Sequence, residues 1–326
     1  MPIAFVTGAT GFVGGHLVRQ LLESGWRVVA FQRDADHPDT VPGCEVRTGD
    51  LTQREDVQRA LDGAFDAVFH VAADTSMWRG NDDRQTRVNV DGTRHLLAAA
   101  QRAGTRRFVY TSTIAVYGFP TEQPIREDTV RDLRAHWVNY CRTKFAAEAL
   151  VMQAASELRA VILNPTHVMG PGDRHNWVRL YKMVADGSLP GIPPATGSFA
   201  DVREIARAHI TAWEQGETGR NYLLGGENRS FEWLVRTIAE VLDVRVKRPV
   251  MPAFALMGMG HLQDWFSRLT RREPEVTAAG ASMVCNDLAV DSARAVAELD
   301  YGITPTRELI EATCTWMREA GYLTEA

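Results

Sequence analysis

The chain has 326 residues, 45% of them hydrophobic and 24% charged, with 36 basic against 41 acidic side chains and a net charge of -5. That length can hold one large or two closely joined domains with a proper core, and the composition is ordinary for a globular protein. The mild acidity and the lack of a basic stripe argue against nucleic acid as a partner.

Short apolar runs and helical patterns alternate from the start. Ile3 to Thr7 reads as a strand, and Gly14 to Ser24 as a helix with Leu17, Val18, Leu21 and Leu22 on one face and Gly25 as its stop. Strands follow at Arg27 to Phe31 and Glu45 to Thr48, and Thr52 to Glu55 has the form of a capping box opening a helix through Leu61. Ala67 to Val71 reads as a strand, Asp83 to Ala103 as one long helix, Arg107 to Thr111 as a strand, His136 to Ser156 as a helix and Ala160 to Leu163 as a strand. About six β-α units in series predict an α/β fold, a Rossmann-type doubly wound parallel sheet.

Regularity falls off after Pro165. The expected division is a dinucleotide-binding domain over 1–165 with about 200–225 returning to it. Residues 166–199 and 226–326 would form a smaller C-terminal substrate-binding domain, or lid. Cys44, Cys141, Cys285 and Cys314 lie far apart, which suits neither a disulfide framework nor a zinc site and points to a reducing compartment. The chain opens directly into its first strand, and no apolar stretch reaches the ~18 residues of a membrane span. A cytoplasmic protein is expected. No HExxH or other metal-ligand spacing occurs among the nine histidines, so no metal is implied.

The turn between the first strand and first helix reads Thr7-Gly8-Ala9-Thr10-Gly11-Phe12-Val13-Gly14. One glycine allows a tight turn, one lets a pyrophosphate touch backbone, and one lets helix and strand pack closely. The helix N-terminus offers open N–H groups and a positive dipole end. A bare tight turn is the plainer reading of three glycines, but the strand before and the amphipathic helix after are the context a dinucleotide site needs. Gly8, Thr10, Gly11, Phe12, Val13 and Gly14 are therefore candidate cofactor residues. With its GxxGxxG spacing, the chain resembles the short-chain dehydrogenase/reductase superfamily in its extended form.

The second strand ends in Gln32 and Arg33, where NAD enzymes place an acid to hold the ribose 2′-OH. An arginine there attracts a 2′-phosphate, so NADP(H) is favoured over NAD(H). The other reading leaves Arg33 in solvent and gives the ribose to Asp34 or Asp36. The resemblance implies that Asp50 and Leu51 border the adenine and that Val71, Ala72 and Ala73 line the nicotinamide side.

Tyr140 and Lys144 stand four apart, hence on one face of a helix. Such a pair on an exposed helix is commonly just solvated. Following a glycine turn by the right number of β-α units, it becomes a candidate reaction centre. An ammonium and an oxidised nicotinamide would both lower the phenol pKa from ~10. Tyr140 could then exchange a proton with a substrate oxygen, and Lys144 would bind the nicotinamide ribose. The strand Arg107 to Thr113 ends in hydroxyls, and matching the superfamily motif selects Thr113, with Ser112 as its competing neighbour. The usual residue is serine, and the threonine methyl narrows the site.

The resemblance runs over nearly the whole chain, through Phe69 to Asp74, Asn89 to Thr93, Thr111 to Gly118, Asn164-Pro165 to Gly172, Phe199 to His209 and Tyr222 to Glu227. Within the superfamily it is most similar to bacterial dihydroflavonol-4-reductase-like proteins, which also resemble 3β-hydroxysteroid dehydrogenases. The resemblance implies nicotinamide contacts for Pro165 and Val168, substrate contacts for Asp74, Trp78 and His167, and a homodimer through paired helices. Trp78 could equally cover the cleft wall, and His167 could be a structural histidine.

Met251 to Thr270 carries Met257, Met259, Leu262, Trp265, Phe266 and Leu269. These would form lid core or line an apolar cleft. A membrane-surface helix is a third reading, set back by the few basic residues in the stretch itself. The expected function is an NADP(H)-dependent interconversion of a ketone or aldehyde and an alcohol on a small apolar molecule. The alternatives are a nucleotide-sugar epimerase or dehydratase and, from another class, a dinucleotide sensor without turnover.

Overall fold

In the computed structural model, which describes residues 1–323, the expected parallel sheet is present. Its strands are β1 (Ile3–Thr7), β2 (Arg27–Gln32), β3 (Glu45–Thr48), β4 (Ala67–His70), β5 (Phe108–Thr111), β6 (Val161–Pro165) and, later in the chain, β9 (Asn221–Leu224). They lie in the order β3-β2-β1-β4-β5-β6-β9, every pair parallel. The order reverses between β1 and β4, so a crevice opens outside their C-terminal ends. A second sheet, β10-β8-β7, joins β7 (His167–Met169), β8 (Thr196–Asp201) and β10 (Glu227–Ser230).

Helices cover both faces because the strands are apolar on both sides. On one face α1 (Phe12–Glu23) packs with α8 (Val202–Gln215) over a core that includes Leu17, Val18, Trp26, Phe69 and Tyr222. On the other lie α2 (Arg54–Ala60), α4 (Gly92–Arg102) and α5 (Asn139–Gln153), packed over Phe5, Val68, Phe108, Tyr110 and Ile162. The short α6 (Ala155–Leu158) extends α5. A separate core forms beyond the main sheet from α7 (Val178–Ala185), α9 (Phe231–Val241) and α13 (Thr306–Glu319), with Tyr181, Phe199 and Phe231 at its centre. The remaining helices are α10 (Ala253–Thr270), α11 (Ala278–Cys285) and α12 (Ala293–Leu299).

Two local expectations are corrected. Thr52 does not cap α2: the N-cap is Gln53 without a side-chain bond, and the Thr52 hydroxyl donates to the Asp50 carboxylate at 2.8 Å. The helix expected as one piece from Asp83 is α3 (Asp82–Thr86), a wide π-turn at Arg87–Asp91, and then α4. A π-turn inserts one residue and shifts every later side chain around the helix axis.

Candidate active site

The glycine turn is built without room for side chains. Gly8 has φ +72°, and a Cβ there would lie 2.7 Å from the Ala72 nitrogen. A Cβ on Gly14 would stand 2.0 Å from the Gly8 carbonyl oxygen. Gly11 is the N-cap of α1 and offers no side chain to bond the helix, so the first N–H groups stay open to an anion. We expect Gly14→Ala to push the turn off α1. Dinucleotide affinity should fall about thirtyfold and the thermal midpoint should drop. Fluorescence titration and melting check this, and wild-type values in both would refute it.

At the end of β2, Gln32 is buried, and its amide nitrogen donates to the Asp34 carbonyl at 2.7 Å and to the Thr40 hydroxyl at 2.8 Å. Its Oε1 is buried with no partner among the described residues. Arg33 is exposed and makes no ion pair among them. Asp34 accepts from the Asp36 backbone N–H at 3.1 Å. Arg33 thus presents a guanidinium to solvent at the end of β2, the strand beside the one that leads into the glycine turn. Leu51, on the other rim, packs where a Gly92 Cβ would stand, 2.7 Å from its Cγ.

A buried chain of hydrogen bonds fixes the strand ends. The Ala72 N–H donates to the Thr7 hydroxyl at 3.2 Å, and Thr7 pairs with His70 Nδ1 at 2.8 Å. His70 Nε2 pairs with the Thr93 hydroxyl at 2.9 Å, which donates to the Asn89 carbonyl at 2.7 Å. Because Thr93 spends its proton on that carbonyl, Nε2 must carry the imidazole proton and Nδ1 must accept from Thr7. Burial pushes His70 down to about 3, so the ring is neutral and the chain keeps its direction. Val71 and Ala72 are held in this way at the C-terminal edge of β4.

Asn89 sits in the π-turn. Its Nδ2 donates to the Asp74 carbonyl at 3.0 Å and the Thr143 hydroxyl at 3.2 Å, and its Oδ1 accepts from the Asp74 N–H at 2.8 Å. One side chain thus ties the loop after β4 to α5.

On α5, Tyr140 and Lys144 are both buried. The Lys144 ammonium donates to the Thr111 carbonyl at 2.7 Å and lies 4.3 Å from the centre of the Tyr110 ring. Burial pulls it down to about 7, against the Glu148 carboxylate, which acts to raise it. Burial also pushes the Tyr140 phenol up to about 12, with the Thr113 hydroxyl beside it acting to lower it. The lowered phenol expected from sequence is therefore not produced by the protein's own groups, because desolvation outweighs them. Ser112 is buried, and its hydroxyl has no partner among the described residues.

Glu148 is a residue the sequence reading passed over. It is buried one turn beyond Lys144, so Tyr140, Lys144 and Glu148 form a single row. Its carboxylate pairs with Arg131 at 2.7 Å and accepts from Asn164 Nδ2 at 2.6 Å, and that amide also donates to the Thr113 carbonyl at 3.2 Å. The repeat of four from Tyr140 through Lys144 was the available signal.

The three substrate candidates are placed unequally. Asp74 is nearly covered, bonded to Arg84 Nε at 2.7 Å and to the Ser76 N–H at 3.0 Å. The Trp78 indole donates to the Ser267 hydroxyl of α10 at 3.0 Å, which pins it between the lid and the loop after β4. The His167 ring is stacked on Phe199 and edged by Trp177 and Phe231, within the lid core. A small recess of about 10 Å³ beside Tyr140 is lined by Ser76, Arg79, Asp82, Gln85 and Asn139 together with Met77, Trp137 and Ala279. Pro165 is the last residue of β6, whose Leu163 pairs with Thr111, and Val168 lies in the middle of β7, just after it.

Comparison with known proteins places the chain in a family. Residues 4–225 match the model of the NAD dependent epimerase/dehydratase family. A putative dihydroflavonol 4-reductase of Synechocystis sp. is 29% identical over 98% of this chain and 95% of its own. Sterol demethylase protein B of Methylococcus capsulatus is 30% identical over 98% and 99%. A UDP-glucose 4-epimerase of Thermus thermophilus, solved in complex with NAD, superposes with a TM-score of 0.77 at 22% identity, covering 98% of this chain and 99% of that one, a likeness of fold. The chain belongs to the NAD dependent epimerase/dehydratase family, the extended short-chain dehydrogenase/reductase type, and is an NAD(P)-dependent enzyme.

Proposed function

We propose that the protein is an NADP(H)-dependent reductase that interconverts a ketone or aldehyde and an alcohol on a small apolar substrate. The observation that supports this reading is that the Thr113 hydroxyl lies beside the Tyr140 phenol and Lys144 donates to the Thr111 carbonyl at the C-terminal end of β5, one strand beyond β4, the neighbour of the strand that leads into the glycine turn. When bound, the nicotinamide carries the hydride. Tyr140 gives its phenolic proton to the substrate oxygen, Thr113 holds that oxygen by a hydrogen bond, and Lys144 favours the phenolate left behind. Gly8, Thr10, Gly11, Phe12, Val13 and Gly14 would hold the pyrophosphate. Asp50, Leu51, Val71, Ala72, Ala73, Pro165 and Val168 would border the base and nicotinamide, and Asp74, Trp78 and His167 would shape the substrate end.

The division into 1–165 with about 200–225, and 166–199 with 226–326, belongs to the same proposal, as does a homodimer through main-domain helices. Support for the former comes from β9, which pairs with β6 in the main sheet, while Phe199 and Phe231 pack in a separate core.

The NADP(H) preference rests on Arg33 having no ion pair among the described residues, at a position where an acid would repel a 2′-phosphate. Arg33→Ala should weaken NADPH binding about 10- to 100-fold and leave NADH within about threefold, since only the phosphate loses a charged partner. Titration of both nucleotides against both proteins tests it. Equal losses for the two would return the ribose to Asp34 or Asp36.

A further inference from the structure

Helix α10 faces the wrong way for a lid whose large apolar side chains serve its core. Phe254, Leu262, Trp265, Phe266 and Leu269 are between 51% and 80% exposed. Of the three readings of this stretch, lid core, cleft lining and membrane-surface helix, the exposure of the last four side chains removes the first two. The reason lies on the opposite face, where Leu256 is buried and small residues let the helix pack closely. A Cβ on Gly260 would stand 2.8 Å from the Ala278 backbone of α11, and Ser267 is buried against Trp78. Close packing on that side turns the bulky row outward.

Leu262, Trp265, Phe266 and Leu269 have helical spacing and Phe254 lies two turns before Leu262, with Gly258 between, so they share one side of an 18-residue helix, about 27 Å long. Trp137 continues it, 6.5 Å from the His261 ring, and Trp137 also lines the recess beside Tyr140. The flanks are basic. From 245 to 272 the chain has Arg245, Lys247, Arg248, Arg268, Arg271 and Arg272 against Asp264 alone. The Asp264 carboxylate is turned inward, accepting from the Ala278 N–H at 3.0 Å. Glu273 follows, taking a hydrogen bond from the Ser76 hydroxyl at 3.4 Å, and Glu275 lies beyond it. The helix and its immediate flanks are thus mildly basic in a chain of net charge -5, with Asp243, Glu273 and Glu275 just outside them.

We propose that α10 is a peripheral docking surface for an anionic lipid bilayer. Trp, Phe and Leu enter the headgroup boundary while the arginines and lysine at both ends meet lipid phosphates. A second copy of the chain is a poorer occupant. Because both ends of the stripe are basic, pairing the helix with its own copy sets like charges together in either orientation.

The test is flotation of the full-length protein with phosphatidylcholine vesicles and with vesicles containing phosphatidylglycerol. The wild type should float with the anionic vesicles and less with the neutral ones, and salt should weaken the effect. Combining Leu262→Glu and Phe266→Glu, both on exposed positions, should lower the bound fraction at least about tenfold. Melting temperature and NADPH binding should stay unchanged in that variant. Absence of wild-type flotation, or flotation unaltered in the variant, would overturn the proposal. So would sedimentation showing a wild-type dimer that the variant dissociates without any vesicle binding.

Discussion

Tyr140→Phe should lower turnover about a thousandfold or more while nucleotide affinity stays within a few-fold of wild type. General acid catalysis by a placed side chain is worth about 10²–10⁴, and the phenol is the only proton donor in the proposed step. The substitution removes one oxygen from a buried ring and leaves its packing intact, so the fold should keep its melting temperature. The phenol is held protonated in the protein alone, pushed up to about 12. It therefore has a proton to give throughout the neutral range. Steady-state kinetics alongside nucleotide titration checks the result, and turnover within tenfold of wild type would remove Tyr140 from the reaction.

Lys144→Met should cost turnover about a hundredfold or more and yet raise stability at pH 6. Folding buries the ammonium and lowers its pKa from 10.5 to about 7. Between those values the unfolded chain holds a proton that the folded chain has lost, so wild-type stability rises with pH across that window. Below about 7 the whole penalty is present, with a ceiling of about 4–5 kcal/mol for such a shift. Methionine escapes it but forfeits the bond to the Thr111 carbonyl and the contact with Tyr110. A net gain of about 1–2 kcal/mol at pH 6 is expected, shrinking as pH climbs from 7 toward 10.5. Denaturant melts at pH 6 and pH 9.5 measure this. A stability loss at pH 6 would show that Lys144 is held at a profit rather than a cost.

Such a trade of stability for chemistry is what a functional site looks like in energetic terms. The surrounding network bears the cost. Asn89 ties the loop after β4 to α5, and the carboxylate of Glu148 sits between Arg131 and Asn164.

Features written in neighbouring residues were readable in advance. The Gly8-Gly11-Gly14 turn and the spacing from Tyr140 to Lys144 are local patterns, and the alternation of strands and helices gave the parallel sheet. Features that depend on where a face points were not. The apolar period of α10 was plain, but its outward orientation follows from the small residues Gly260 and Ser267 meeting the next helix, α11, and a loop distant in sequence at Trp78. The π-turn at Arg87–Asp91 shifts the helix register and brings Asn89 to the site, and no simple period announces it. Thr52 looked like a cap because its residue type suits one, whereas Asp50 competes for the same hydroxyl. Glu148 continues the row of Tyr140 and Lys144, and its burial beside Arg131 and Asn164 comes only from long-range packing.

The central claim is net carbonyl reduction at Tyr140, and its most direct test follows NADPH consumption by the purified protein. The panel should mix ketones, aldehydes and nucleotide-sugars, with product analysis on each. Net oxidation of NADPH with an apolar carbonyl, and none with the sugars, is the expected result. Conversion of a nucleotide-sugar without net oxidation would contradict it and make the enzyme an epimerase or dehydratase.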